Sequence, residues 1–210
     1  MREQILVIDD EGIRYPLKEI CALGGWDVVV ASNGVEGMEK LRCCSPERII
    51  VDHHMPEQDG LTTVQKIRRA GYSAAILVLT VDERQEIADD YLEAGATDFA
   101  LKPIKAPDLI SRIGMNLKIA KMEREEMRAG IRDVLITKGI SRVTKRLILE
   151  CMKKRKKPLS IEEISTNVGL AYPTVHRYLL FLTEQGEVEL EYDYGPASKR
   201  GRPKNRYRLA

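Results

Sequence analysis

Short apolar segments alternate with stretches of helical periodicity through the first half of the chain. The five predicted strands are residues 4–8, 27–31, 48–51, 75–80 and 97–101. The predicted helices are residues 13–23, 34–44, 61–70 and 83–94, followed by a longer helix from Pro107. Short apolar strands joined by helices are typical of parallel sheets that are covered on both faces. The sequence therefore predicts an α/β fold with a doubly wound five-stranded parallel sheet.

Polar residues stand at the carboxyl ends of four of these strands. Asp9 and Asp10 follow the first strand, Asp52 follows the third, Thr80 ends the fourth and Lys102 follows the fifth. In an open parallel sheet these ends meet at one crevice, where ligands bind. Clustered carboxylates do not stay ionised together unless a cation offsets them. The pattern predicts a Mg²⁺ site with oxygen ligands, and one carboxylate left to accept a phosphoryl group.

With Met55-Pro56 and Asp59-Gly60, this pattern resembles the receiver domain of bacterial response regulators. The resemblance covers residues 1–122 and implies a flavodoxin-like receiver whose partner is a sensor histidine kinase. It implies that Asp52 is the phospho-acceptor. It also implies a Mg²⁺ site formed by Asp9, Asp10, Asp52 and the backbone carbonyl of His54. Thr80 and Lys102 would contact the phosphoryl group, and the rotamer of Phe99 would change together with that of Thr80.

Three residues, His53, His54 and Val81, differ from common receiver usage. Val81 stands where Ala or Gly usually follows the switch threonine, so we expect it to add bulk beside the path to the phosphoryl group. His53, next to the acceptor, is either a pH-sensitive neighbour or a partly exposed loop residue. Both alternatives remain open from sequence.

The charge of the chain is nearly balanced but unevenly placed. Its 210 residues carry a formal net charge of +2. No acidic residue follows Asp193, whereas the same segment contains Lys199, Arg200, Arg202, Lys204, Arg206 and Arg208. A basic tail on a nearly neutral chain indicates a nucleic-acid partner.

Composition and the absence of targeting signals predict a cytoplasmic protein without membrane association. No apolar run has the length of a membrane span, and the N-terminus leads directly into a strand rather than a signal peptide. The cysteines Cys21, Cys43, Cys44 and Cys151 form no C-x-x-C pair. We expect them to be reduced thiols rather than zinc ligands.

The second half has the order of elements of a winged helix-turn-helix domain. Residues 123–138 are predicted to be a helical linker, and residues 139–210 the domain itself. Ser160 and Glu163 predict a capping box, Gly169 a turn, and Pro173 the first turn of the recognition helix. Residues 188–192 and 205–209 alternate as two strands of a hairpin, whose loop, 195–204, is the predicted wing.

This half resembles the citrate- and dicarboxylate-type response regulators. The resemblance rests on Lys138-Gly139-Ile140-Ser141, on the run from Pro173 to Leu179, and on Tyr194-Gly195 with Gly201-Arg202-Pro203. It implies a double-stranded DNA partner and a homodimer after phosphorylation. Ala171-Tyr172 and His176-Arg177 depart from that group, so we expect a different base sequence to be read.

Two sets of side chains are predicted to contact DNA. The recognition helix offers Tyr172, Thr174, His176 and Arg177, and the wing offers Lys199, Arg200, Arg202 and Lys204. Within the wing, Arg200-Gly201-Arg202-Pro203 resembles an AT-hook, which would place both arginines in a narrow A·T minor groove. A basic loop that touches only phosphates is the alternative.

Other functions and contacts remain open at this level. The same receiver could control an RNA-binding antiterminator, and Mg²⁺–Asp chemistry also occurs in small phosphohydrolases. We expect no enzyme with external turnover, because His54 stands where a second acid or base would be needed. In the long helix from Pro107, Ile113, Leu117, Ala120 and Met127 form either a dimer seam or one side of a solvated connector.

Overall fold

The structure, a computed structural model, describes residues 2–128, 140–155, 157–193 and 204–210. Its first half contains a five-stranded sheet made of β1 (Gln4–Ile8), β2 (Asp27–Ala31), β3 (Arg48–Asp52), β4 (Ala75–Thr80) and β5 (Asp98–Leu101). The strands are all parallel, in the order β2-β1-β3-β4-β5. The predicted doubly wound sheet is confirmed, and its strand limits differ by one residue at the end of β3 and the start of β5.

Five helices accompany the sheet: α1 (Glu11–Leu23), α2 (Gly34–Cys43), α3 (Gly60–Arg69), α4 (Gln85–Glu93) and α5 (Ala106–Arg128). One face of the sheet packs against buried residues of α2, α3 and α4, including Leu41, Ile67 and Tyr91. The other face packs against α1 and α5, through Leu17 and Ile113 among others. Because both faces are covered, the strand interiors are apolar and the polar residues stand at the strand ends, as expected for a parallel sheet.

A glycine allows α3 to begin directly beneath the end of β3. A Cβ atom at Gly60 would lie 2.3 Å from the backbone oxygen of Asp52 and 2.5 Å from the hydroxyl of Tyr91. Asp59 caps this helix by accepting a hydrogen bond from the amide of Thr62 at 2.7 Å. The Asp59-Gly60 pair therefore fixes the loop that follows Asp52.

The second half folds as the predicted helix-turn-helix with a hairpin. Its elements are α6 (Arg142–Arg155), α7 (Ile161–Val168), α8 (Tyr172–Glu184), β6 (Val188–Asp193) and β7 (Lys204–Leu209). Strands β6 and β7 pair antiparallel, and Leu159 forms a bridge to Tyr207. The capping box of Ser160 and Glu163 is present, and Gly169 ends α7 with φ 72°, a left-handed conformation that suits glycine.

Helix α5 belongs to the cores of both halves. Leu109 and Ile113 pack on the sheet, whereas Ile119, with Met115 and Met122 beside it, packs into the core of the second half. The helix thus has two packed sides, unlike a connector packed only on the sheet. It continues to Arg128, past the start of the linker predicted at residue 123, while most of that linker lies outside the described residues. The domain limits stay a prediction.

None of the helices in the described ranges combines the length and the apolar character needed to cross a membrane.

Candidate functional site

Three predicted site residues meet at the carboxyl edge of the sheet. The Lys102 ammonium lies 3.0 Å from Oδ2 of Asp9 and 2.9 Å from Oδ1 of Asp52. Asp9 is fully buried and Asp52 is 6% exposed. Because β1, β3 and β5 are parallel, residues at or just after their carboxyl ends converge here although they are distant in sequence.

Burial determines the ionisation of Asp9. Burial raises the pKa of the Asp9 carboxyl to about 6; the charge of Lys102 opposes this shift, while the charge of Asp52 adds to it. Within the part of the chain that the structure describes, Oδ1 of Asp9 has no hydrogen-bond partner. A buried carboxylate oxygen of this kind suits a hard cation, whose charge would favour the ionised form.

The oxygen-rich donor set at this edge of the sheet fits Mg²⁺. Among the described residues no three His, Cys, Asp or Glu side chains form a group that could hold a metal ion, and Asp10 is exposed. Magnesium usually keeps several waters and takes only one or two carboxylates. Asp9 and Asp52 meet that need, because among the residues that the structure describes their two carboxylates share one ammonium, that of Lys102.

Backbone hydrogen bonds hold the loop that contains His54. The amide of His53 donates to the carbonyl of Leu79 at 2.9 Å, and the amide of Gly60 donates to the carbonyl of His53 at 3.1 Å. The backbone around His54, the predicted carbonyl ligand, is therefore anchored on both β4 and α3.

Thr80 and Phe99 lie next to this crevice on neighbouring strands. Thr80 is fully buried, pairs with Leu101 in the sheet, and its Oγ1 accepts a hydrogen bond from the amide of Asp82 at 3.0 Å. Phe99 is 2% exposed, and its ring centroid lies 6.2 Å from that of Tyr91. Phe99 thus points into the layer beneath α4 rather than to solvent.

Tyr91 is a residue of this region that sequence reasoning missed. A hydrogen bond of 2.7 Å joins its hydroxyl to Nδ1 of His53, and the two rings meet edge to face. Burial raises the pKa of Tyr91 and lowers that of His53. In sequence Tyr91 is one member of the apolar stripe of α4, and only its pairing with His53 marks it as a contact of the loop that follows Asp52.

Val81 borders the lysine side of the site. It is 63% exposed. Together with Pro16, Leu17, Lys102 and Ile104 it lines a cavity of about 360 Å³. This placement beside Lys102 agrees with the expected position near the phosphoryl path, and its effect on access stays a prediction.

The predicted DNA contacts of the recognition helix α8 occupy different environments. Tyr172 is 43% exposed, and its ring stacks on His176 with centroids 6.1 Å apart. Arg177 is half-buried. Thr174 is only 1% exposed, because it faces the receiver and not solvent. A DNA contact by Thr174 therefore requires the two halves of the chain to separate.

The predicted wing contacts cannot be placed. Lys199, Arg200 and Arg202 lie outside the described residues. For Lys204 the backbone begins β7, but its side chain is also outside what the structure describes. Their roles stay predictions.

Asp98 is a second residue that sequence reasoning missed. This carboxylate at the start of β5 is fully buried and accepts hydrogen bonds from both halves of the chain. In sequence it is one acid before a short apolar strand, and its partners 73 and 76 positions later leave no local signal.

Comparison with known families agrees with this architecture. Residues 5–114 match the response regulator receiver domain family, and residues 147–191 match the IclR helix-turn-helix domain family. Among solved structures, a CheY-like receiver domain protein from Methanospirillum hungatei superposes with a TM-score of 0.56 at 24% identity, covering 59% of this chain and 99% of that one. At this identity the similarity shows the fold alone.

Full-length relatives share both halves. The probable C4-dicarboxylate response regulator DctR of Priestia megaterium is 33% identical over 98% of this chain and 96% of its own. Its namesake from Bacillus subtilis is 29% identical with the same coverage. The chain therefore belongs to the two-component response regulators and is a phosphorylation-controlled transcription regulator, with a receiver domain followed by a helix-turn-helix DNA-binding domain.

Proposed function

We propose that Asp52 is the phosphoryl acceptor and that the receiver takes its phosphoryl group from a sensor histidine kinase. The observation that carries this assignment is the contact of Lys102 with both Asp52 and Asp9 in one nearly buried crevice. An oxygen of the Asp52 carboxylate forms a bond to phosphorus while the bond from phosphorus to the kinase imidazole nitrogen breaks. The electron pair of that bond stays on the ring nitrogen, and because the other ring nitrogen of the phosphohistidine carries a proton, the kinase histidine leaves as neutral imidazole.

Asp9, Asp10, Asp52 and the backbone carbonyl of His54 are the proposed holders of Mg²⁺. When bound, Mg²⁺ supplies positive charge to the oxygens of the transferred phosphoryl group. Lys102 is the protein's own cation at this position, so it is the group that pairs with a phosphoryl oxygen on Asp52. Since Thr80 Oγ1 accepts from Asp82, its hydroxyl hydrogen is oriented away from that amide and is available to donate to the phosphoryl group.

The proposed output is binding of promoter DNA by a phosphorylated homodimer in the cytoplasm. Tyr172, Thr174, His176 and Arg177 of α8 are the proposed contacts in the major groove. The wing residues Lys199, Arg200, Arg202 and Lys204 are the proposed contacts beside it. The protein turns over no external substrate, although the receiver promotes its own phosphotransfer and hydrolysis.

Replacement of Asp52 by Asn tests the acceptor. The amide is nearly isosteric but not nucleophilic, so Asp52→Asn is expected to abolish labelling by acetyl phosphate with Mg²⁺ while the circular dichroism spectrum stays unchanged. Asp27→Asn, at an exposed acid at the start of β2, is the matched control and retains labelling. Labelling that persists in Asp52→Asn would move the acceptor to Asp9 or Asp10.

The output is tested by offering the phosphorylated protein duplex DNA, the same sequence as RNA, and a phosphate ester. We expect binding to the DNA duplex alone and no turnover of the ester. Preference for the RNA would indicate an antiterminator, and sustained ester hydrolysis would indicate a phosphohydrolase.

A further inference from the structure

The first turn of α8 is held by a side chain of the receiver. Oδ1 of Asp98 accepts a hydrogen bond from the Thr174 hydroxyl at 2.8 Å and one from the Ala171 amide at 3.2 Å. Asp98 is fully buried, and Ala171 and Thr174 are 2% and 1% exposed. The contact is thus closed to solvent on both sides.

Asp98 bonds the start of α8 from outside the helix, through the amide of the N-cap residue Ala171 and the hydroxyl of Thr174. The N-cap position of α8 is Ala171, which has no side chain able to accept a hydrogen bond. A carboxylate at this position satisfies a free amide and also interacts favourably with the positive end of the helix dipole. The start of the recognition helix is therefore bonded to a carboxylate of the other half of the molecule.

The receiver also anchors the opposite side of this carboxylate. Oδ2 of Asp98 lies 3.4 Å from Nη1 of Arg112 and 3.4 Å from Nδ2 of Asn116, both on α5. Because α5 fixes one oxygen, the other is presented to α8 in a set direction. Hydrogen bonds to a charged group are stronger than neutral ones, which suits a contact that holds two domains together.

We propose that Asp98 is an intramolecular latch that keeps the recognition helix on the receiver and so prevents DNA binding by the unphosphorylated protein. This inference rests on the proposed role of α8 in DNA binding. The N-terminal residues of a recognition helix are the ones that contact base edges in the major groove. In α8, Thr174 is buried against the receiver, whereas Tyr172 is 43% exposed.

The strand that carries the latch also leads to the acceptor site. Asp98 begins β5, Phe99 follows it, and Lys102 follows the end of the same strand and contacts Asp52. Strand β5 is only four residues long, and Asp98 is its first residue. A change in the position of Lys102 or Phe99 on phosphorylation would therefore be passed along this short strand to Asp98.

The interface around the latch is incompletely filled. A cavity of about 620 Å³ lies between the halves, lined by Lys105, Asp108 and Arg112 of the receiver and by Leu170, Ala171 and Tyr172 of the second half. The contacts of Asp98 thus lie beside a gap in this boundary, where dispersion contacts between the halves are missing.

Replacement of Asp98 by Ala in an Asp52→Asn background tests the latch without phosphorylation. The probe is a labelled duplex selected from a random-sequence pool by phosphorylated wild type. We expect Asp98→Ala to bind it roughly tenfold more tightly than the Asp52→Asn parent, since a charge-assisted contact is removed from the closed state alone. Asp108→Ala, at an exposed acid that lines the same cavity, is the matched control and leaves affinity unchanged.

Equal affinity of Asp98→Ala and its parent, together with tighter binding by phosphorylated wild type, would overturn the latch. If phosphorylated wild type binds no duplex, the proposed DNA output fails instead.

Hydrogen exchange at the Ala171 amide measures the contact between Asp98 and α8 without DNA. Exchange is expected to be faster in Asp98→Ala and in the near-isosteric Thr174→Val, and unchanged in Thr174→Ser, which keeps the hydroxyl. If Asp98→Ala does not fold, Thr174→Val is the variant that tests the contact. Unchanged protection of Ala171 in whichever of these two variants folds would overturn the latch, whatever the DNA measurements give.

Discussion

The ammonium of Lys102 lies 2.9 Å from Oδ1 of Asp52, at the edge of the sheet where the phosphoryl group is proposed to be received. The same nitrogen lies 3.0 Å from Asp9, so one cation serves two carboxylates that are almost removed from solvent. This arrangement leaves unbalanced negative charge in the crevice. A divalent cation would offset it, and several consequences can be measured.

Removal of Lys102 should increase the dependence of the receiver on Mg²⁺. In Lys102→Met the carboxylates of Asp9 and Asp52 lose their shared cation, so the free energy of unfolding without metal is expected to fall by about 3 kcal/mol or more. Added MgCl₂ should then raise the melting temperature by more than it does in wild type. Lys105→Met, at a lysine three residues later, is the control. An equal rise in the melting temperature of wild type, Lys102→Met and Lys105→Met on addition of MgCl₂ would show that Lys102 does not balance the charge of the two carboxylates.

Shortening Val81 should open the approach to the acceptor. The Val81 side chain lines the cavity that also contacts Lys102, so Val81→Ala is expected to speed phosphorylation by acetyl phosphate or loss of the phosphoryl group. Both rates are measured by labelling time courses. Val35→Ala, at another exposed valine, should leave them unchanged. Unaltered rates in both directions for Val81→Ala would place this side chain away from the phosphoryl path.

Glu123 should give the stability of the protein a measurable pH dependence. Burial raises the pKa of this α5 carboxyl above its ordinary value, while the hydrogen bond from the Ser141 hydroxyl opposes that shift. Between the ordinary pKa and the raised one, the folded state binds more protons than the unfolded state. The contribution of Glu123 to the free energy of unfolding therefore decreases as pH rises through that interval.

Glu123→Gln should remove this decrease, because the amide does not titrate and its oxygen can still accept from Ser141. Urea denaturation across the acidic range compares the two proteins, and their stability difference should grow with pH in favour of the variant. Glu125→Gln, at an exposed acid on the same helix, is the control. Parallel pH profiles for wild type and Glu123→Gln would contradict the prediction.

Two glycine substitutions should have opposite effects on stability. At Gly60 a Cβ atom would lie 2.3 Å from the Asp52 backbone oxygen, so Gly60→Ala is expected to cost about 1–3 kcal/mol. At Gly114, within α5, a Cβ atom meets open space, so Gly114→Ala is expected to stabilise the protein by about 0.5–1 kcal/mol. Chemical denaturation measures both. Similar changes in the free energy of unfolding for the two variants would show that the β3–α3 loop can move to accommodate the added methyl group at Gly60.

The two interpretations of the wing differ in how DNA binding responds to base composition. If Arg200 and Arg202 enter a minor groove, changing both to Ala should weaken binding and remove a preference for A·T steps beside the major-groove site. If they touch only phosphates, affinity should fall equally on all sequences. The slope of log affinity against log salt concentration should then shrink by about 0.9 for each phosphate that is no longer neutralised.

Titration of wild type and the double variant on two duplexes that differ only in A·T or G·C content beneath the wing decides between these interpretations. An unchanged preference ratio in the double variant excludes the minor-groove contact. The double variant of Lys199 and Lys204 is the control, since a flexible ammonium acts mainly as a point charge and should lower affinity without changing the ratio.

Much of the fold could be predicted because its signals are local. Strand and helix periodicity, the Ser160–Glu163 capping box and the turn at Gly169 each depend on residues only a few positions apart. The prediction that Asp9, Asp52 and Lys102 converge then needed only the rule that parallel strands present their carboxyl ends at one edge. The side chain of Asp10 is exposed, and its role as a metal ligand stays a prediction.

The receiver sheet, its site-bearing strand ends and the helix-turn-helix order follow from the amino-acid pattern, because each arises from short-range periodicity and simple topology. How the two halves meet does not follow from that pattern. The contact of Thr174 with Asp98 joins residues 76 positions apart, and the hydrogen bond between His53 and Tyr91 joins residues 38 apart. Such pairs depend on how whole helices dock, and docking is set by the summed packing of both halves, with α5 in each core, rather than by any local pattern.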